Sequence, residues 1–197
     1  MKLNVLIEGT SPLICNKFSD AAAESATNGT RGSSAAADRG TPREICETKL
    51  YIDLDGNPCI PQPNLMRCLV DGGKFHKAGK SQITTSKTTL LYSCVEIEGV
   101  TIPIIHKEPW MVDTRAVRIP STGGRILAHR PTFNDWRLAF TCDLDTAILG
   151  MKLFRQIVDD AGKRIGLGDF RPATKGPFGR FVVTKWEVVE EELRDAA

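Results

Sequence analysis

Three observations predict an α+β fold. Strands of period-two alternation open, centre and close the chain, two spans keep helical spacing, and they follow one another in the order βαββαβ. Lys2-Leu3-Asn4-Val5-Leu6-Ile7-Glu8 places Leu3, Val5 and Ile7 on one face of a first strand that ends at Gly9. Ser11-Pro12-Leu13-Ile14 then turns the chain.

Residues 19–43 hold Ala, Ser, Gly, Thr and charge but no large apolar side chain, so a mobile loop insertion is expected there. Tyr51–Pro58 reads as a short strand and turn, and Pro63 opens a short helix with Leu65 and Leu69 on one face before Gly72-Gly73. Leu90–Glu98 is strand-like, and Glu98-Gly99 turns into a partner over Val100–Ile105. Residues 107–132 read as an irregular basic insertion. Trp136, Leu138, Phe140 and Cys142 alternate with Arg137, Ala139 and Thr141, the signature of another strand. Asp145 caps a long helix predicted over residues 146–161, closed by Gly162, and Gly179–Trp186 forms the last strand. The order is βαββαβ, that of a ferredoxin-like or RRM-like unit with an antiparallel sheet and large loop insertions, in one domain over residues 1–197.

The composition is that of a globular chain: 197 residues, 41% hydrophobic and 25% charged, with a net charge of only +2. That sum hides a segregation. Residues 60–137 carry 11 basic and 6 acidic groups, and residues 152–185 carry 8 and 3, while residues 1–59 and 186–197 are net acidic. If the two basic stretches meet in the fold, they form a face suited to a phosphate backbone. The six cysteines include no CxxC pair and the three histidines add no spaced partner, so no metal site is expected, and the thiols are expected reduced and buried. No cofactor fingerprint is present. The absence of a long apolar run or a secretory leader predicts a soluble, cytoplasmic protein without a membrane partner.

Three ordered segments carry a family resemblance. They are the first strand with Ser11-Pro12-Leu13-Ile14, Asp55-Gly56-Asn57-Pro58-Cys59-Ile60-Pro61 leading into a helix, and a long helix followed by Gly166-Leu167-Gly168-Asp169-Phe170-Arg171-Pro172 and Gly176-Pro177-Phe178-Gly179-Arg180-Phe181. In that order the chain resembles the RAMP superfamily of CRISPR-associated RNA-binding proteins, particularly its repeated backbone subunit. The resemblance implies binding of RNA, head-to-tail assembly with copies of the chain along the strand, and contact with other effector-complex subunits.

The residues give the candidate nucleic-acid site. Arg67, Lys74, Lys77, Arg115, Arg118, Arg125 and Arg130 are candidates to grip phosphates. In the glycine-rich loop, Gly166, Gly168, Gly176 and Gly179 allow close backbone approach, and Arg171, Lys175 and Arg180 supply cations. Trp110 and Phe178 are candidate base-stacking platforms, with Tyr92, Phe133 and Trp136 behind them; Trp136 and Phe181 are expected in the core. RNA and single-stranded DNA are not distinguished, since the 2′-OH is read by geometry.

Two alternatives stand beside this reading. An endoribonuclease would draw on Asp20 or Asp38, in the loop where the resemblance implies a catalytic acid, or on His76 as a base. A structural or partner-binding protein would keep the fold alone. No hydrolase elbow or motif-placed His–Asp pair supports catalysis, so the leading expectation is a binding protein without an active site.

Overall fold

The computed structural model describes residues 1–18, 40–118 and 123–189. Strands β1 (Lys2–Gly9), β6 (Val95–Ile97), β10 (Arg137–Leu144) and β11 (Phe181–Val188) form a sheet in the order β11-β1-β10-β6, every neighbouring pair antiparallel. Helix α2 (Gln62–Gly72) lies in sequence between β1 and β6, and α4 (Met151–Asp160) between β10 and β11. This is the predicted βαββαβ core.

Its register follows from the alternation. Leu3, Val5 and Ile7 of β1 face Cys142, Phe140 and Leu138 of β10, and all six are buried. Leu65, Met66 and Leu69 of α2 and Phe154, Ile157 and Val158 of α4 complete the core. Trp136 is fully buried, meets Phe181 edge-on, and its indole N–H donates to the Ser11 carbonyl at 2.8 Å. A buried indole nitrogen needs such a partner.

Several sequence expectations change. Within the span 107–132, residues 111–118 and 125–132 are not irregular: they belong to a hairpin of β8 (Met111–Arg118) and β9 (Arg125–Phe133), paired from Met111↔Thr132 to Arg118↔Arg125. Together with β2 (Leu13–Ile14) they make a second sheet in the order β2-β9-β8.

The expected loop at 19–43 ends early, because Thr41 and Glu44 form a reciprocal capping box that starts α1 (Pro42–Thr48); residues 19–39 lie outside the described residues. Leu90–Glu98 is strand only over β6. The Ser93 hydroxyl donates back to the Leu90 carbonyl at 2.7 Å, and residues 91–94 close one helical turn, α3 (Leu91–Cys94), instead. The strand β7 (Thr101–Pro103) pairs with β3 (Cys59–Pro61) rather than returning along β6.

The long helix also begins later than its apolar spacing suggests. Asp145 accepts from the Ala147 N–H and supports a separate turn, Gly150 is extended, and α4 starts at Met151. It runs into a wide turn over Ala161–Ile165, so Gly166 rather than Gly162 ends it. A two-residue ribbon of β4 (Lys77–Ala78) and β5 (Ser81–Gln82) follows α2.

Candidate nucleic-acid interface

The glycine-rich loop leaves the wide turn at Gly166, whose φ is 73°. Its backbone is fastened from both sides. The Leu167 N–H donates to the Gly179 carbonyl at 2.8 Å, the Gly179 N–H to the Pro12 carbonyl at 2.8 Å, and the Asp169 N–H to the Ile14 carbonyl at 2.8 Å. The Arg180 N–H adds a bond to the Ser11 hydroxyl at 3.0 Å. Ser11-Pro12-Leu13-Ile14 is therefore the floor of the loop.

Gly179 has a φ of 69°, and any Cβ there would overlap the Leu167 carbonyl oxygen; a Cβ on Gly168, at 73°, would overlap that of Ile14. Gly176 packs as closely against the Phe170 carbonyl. These glycines serve chain-to-chain packing. The cations, not the glycine backbone, face outward: Lys175 is exposed in a left-handed conformation at φ 64°. Arg171 turns one guanidinium nitrogen back to the Gly168 carbonyl at 2.9 Å, and Arg180 donates to the Lys163 carbonyl.

The hairpin and the loop touch through charge. Arg130 of β9 is buried, with 7% of its side chain exposed, and lies 2.8 Å from Asp169 and 3.3 Å from Asp113. Asn16 donates to the same Asp169 carboxylate at 3.2 Å. The Arg115 guanidinium stacks over the Phe178 ring 4.7 Å from its centroid, and Phe178 leans on Phe170. The two basic stretches of the sequence thus meet. Arg118 and Arg125, opposite one another at the far end of the hairpin, are exposed and have no ion pair among the described residues; neither has Lys175.

The other candidates lie apart from this junction. Arg67 and Lys74 both pair with Asp71 of α2, at 3.3 and 2.7 Å, while Lys77 is exposed on β4. His76 sits 3.0 Å from Asp160, whose other oxygen holds Arg164 at 2.8 Å. Asp20 and Asp38 lie outside the described residues. Trp110 is half-buried with the Arg43 guanidinium over its ring. Phe133 and Trp136 are core residues and present no free face, whereas Tyr92 is exposed. The outer face of the central strands carries Asn4, Leu6, Ala139 and Thr141 and no aromatic ring, so base stacking has no platform on the sheet itself.

Sequence reasoning missed one feature, a polar cleft of about 210 Å³ between the first turn of α2 and the glycine-rich loop. Asn64, Cys68, Cys15, Asn16, Tyr51 and Arg171 line it. The paired motifs around Pro61 and Gly166 signal its two walls; nothing in the sequence signals Tyr51. Burial pushes the Cys15 thiol up to about 12 from the ordinary 9.0, and raises Cys68, whose Sγ donates to the Gly166 carbonyl at 3.3 Å. Cys142 is likewise pushed up to about 12 by burial.

Raised thiol values stabilise the fold fully below the unfolded value, and that contribution is lost as pH climbs toward the folded one. The urea midpoint is therefore expected to fall between about pH 9 and 12, and to fall less steeply in Cys15→Ala/Cys142→Ala. A slope unchanged by the double substitution would reject this account.

Among the described residues no helix is long and apolar enough to cross a membrane, and no group of three or more His, Cys, Asp or Glu is placed to hold a metal. No family model matches the chain, and no curated protein matches it. Among solved structures it is similar to a chain in the cryo-EM structure of the Type III-B Cmr-beta bound to cognate target RNA, with a TM-score of 0.56 at 12% identity. The likeness covers 96% of this chain and 60% of that one, so this chain spans about three fifths of its neighbour's length. At that identity the likeness is one of fold.

Proposed function

We propose that this chain is a RAMP-type subunit that binds RNA or another single-stranded nucleic acid by its phosphate backbone. One observation carries the reading: the basic hairpin is joined to the basic glycine-rich loop, leaving Arg118, Arg125 and Lys175 exposed and without ion pairs among the described residues. Cations already committed to carboxylates would have to break those pairs to hold phosphate; these three would not. The solved neighbour of similar fold is a chain of a complex bound to cognate target RNA, which supports the ligand class. Arg171 and Arg180 extend the basic face, with Arg115, which is paired to Asp113, and Phe178 beside it; Arg67, Lys74 and Lys77 lie apart from it on the α2 side. Arg130 acts within the protein, holding the hairpin to the loop. The chain works in the cytoplasm as one domain, lying head to tail with its copies along the strand and alongside other effector-complex subunits.

A salt titration of binding to a labelled single strand tests this. The logarithm of the affinity is expected to fall linearly with that of salt, with a slope of about −0.7 for each phosphate neutralised. No affinity at low salt would overturn the proposal and favour a partner-binding protein. The endoribonuclease reading rests on His76 beside Asp160; cleavage of bound RNA, abolished in His76→Ala, would establish it instead.

A further inference from the structure

Trp110 immediately precedes β8 and packs partly against the core. The guanidinium carbon of Arg43 lies 3.3 Å from its ring centroid, the spacing of flat stacked layers. Three contacts fix that plane. They are the stack itself, a hydrogen bond from Nη1 to the Trp110 carbonyl at 3.2 Å, and an ion pair of Nε with Glu47 at 3.5 Å. The helix that bears Arg43 is anchored by the Thr41–Glu44 capping box and by buried Ile45 and Cys46. Yet 52% of the Arg43 side chain remains exposed. The result is a flat cation with one side on an indole and much of the rest open to water.

We propose that this Arg43–Trp110 pair is a stacking site for an unpaired nucleobase, which lies on the outward side of the guanidinium. Guanidinium planes stack on bases as aromatic rings do, and the contact tolerates any base because each has a π-face. An arginine on a flexible stem loses rotamer freedom when it binds; Arg43 has lost it on folding, so little remains to lose. The placement also suits the strand, because β8 leads from Trp110 to Arg118, where phosphate cations are exposed. Trp110 then supports the platform and is not itself the surface that the base touches.

This inference rests on the single-strand reading above, and the test separates the two. Binding of a labelled single-stranded RNA is compared with that of an abasic strand of equal length, for wild type and for Arg43→Lys, which keeps the charge and loses the plane. Arg43→Lys is expected to weaken binding of the base-bearing strand about tenfold, leaving the abasic strand and the salt slope unchanged. Equal loss on both strands, or no loss on either, overturns the stacking site while wild-type binding keeps the wider proposal. Wild type that binds neither strand overturns both. Thermal midpoints of Arg43→Lys and Arg43→Ala are read alongside. If binding is lost only in step with folding in both variants, the pair is a structural contact and the site is rejected.

Discussion

Alanine at Arg118, Arg125 and Lys175 together is expected to weaken binding of a labelled single strand about a hundredfold near physiological salt, and to reduce the salt slope by about two. Each side chain is exposed and unpaired among the described residues, so its removal takes nothing from the core and the thermal midpoint is expected to hold. The slope is the sharper readout. Three cations that each displace a condensed counterion contribute additively to it, whatever the sequence of the strand. An unchanged slope would place the contact elsewhere, and the Asp71 cluster would then be the next surface to test. There the outcome has a different character, because Arg67 and Lys74 neutralise a carboxylate with only 11% of its side chain exposed. Loss of those residues costs stability as well as charge.

Arg130→Met is expected to destabilise the fold by about 3 kcal/mol, read as a shift in the urea midpoint at constant slope. Removing Arg130 takes the buried cation from two carboxylates, and leaves the almost buried Asp113 with only the half-exposed Arg115 guanidinium at 2.7 Å. Asp169 is a third exposed and is partly satisfied by Asn16 and by the Phe170 N–H, which keeps the figure at the low end of such losses. Asp169→Asn, which retains acceptor and shape, is expected to cost about 1 kcal/mol. A methionine variant as stable as wild type would mean that the hairpin and the loop are held by the stack of Arg115 on Phe178 instead.

These effects bear on what the sequence made legible. The core strands could be read because each buries one face, so alternation survives along β1 and β10. The hairpin could not. Along Met111–Arg118 the face that meets the glycine-rich loop carries Asp113 and Arg115, charged residues that contact other charges and one aromatic ring, and period two leaves no hydropathy trace. Helix α1 was concealed by the low-complexity stretch before it, although Thr-Pro-Arg-Glu over residues 41–44 is a capping-box pattern and supplied the signal.

The glycine-rich loop was legible as a place where backbone comes close to something. That something proved to be Ser11–Ile14 and the loop's own carbonyls. Arg130 read as one surface cation among several. Its partners lie 17 and 39 residues away, and no local pattern distinguishes it from Arg125 five residues earlier.

The pairing of Asp113 directly opposite Arg130 has one more consequence. In a strand pair, a slip of one residue turns every side chain to the other face. The pairing of β9 with β2 and the burial of Phe133 fix β9 itself, but the hydropathy of β8 does not alternate, and a slipped β8 would carry Asp113 away from Arg130. The buried charge therefore acts as a key that fits one alignment only, and through that alignment it decides where Arg118 is presented.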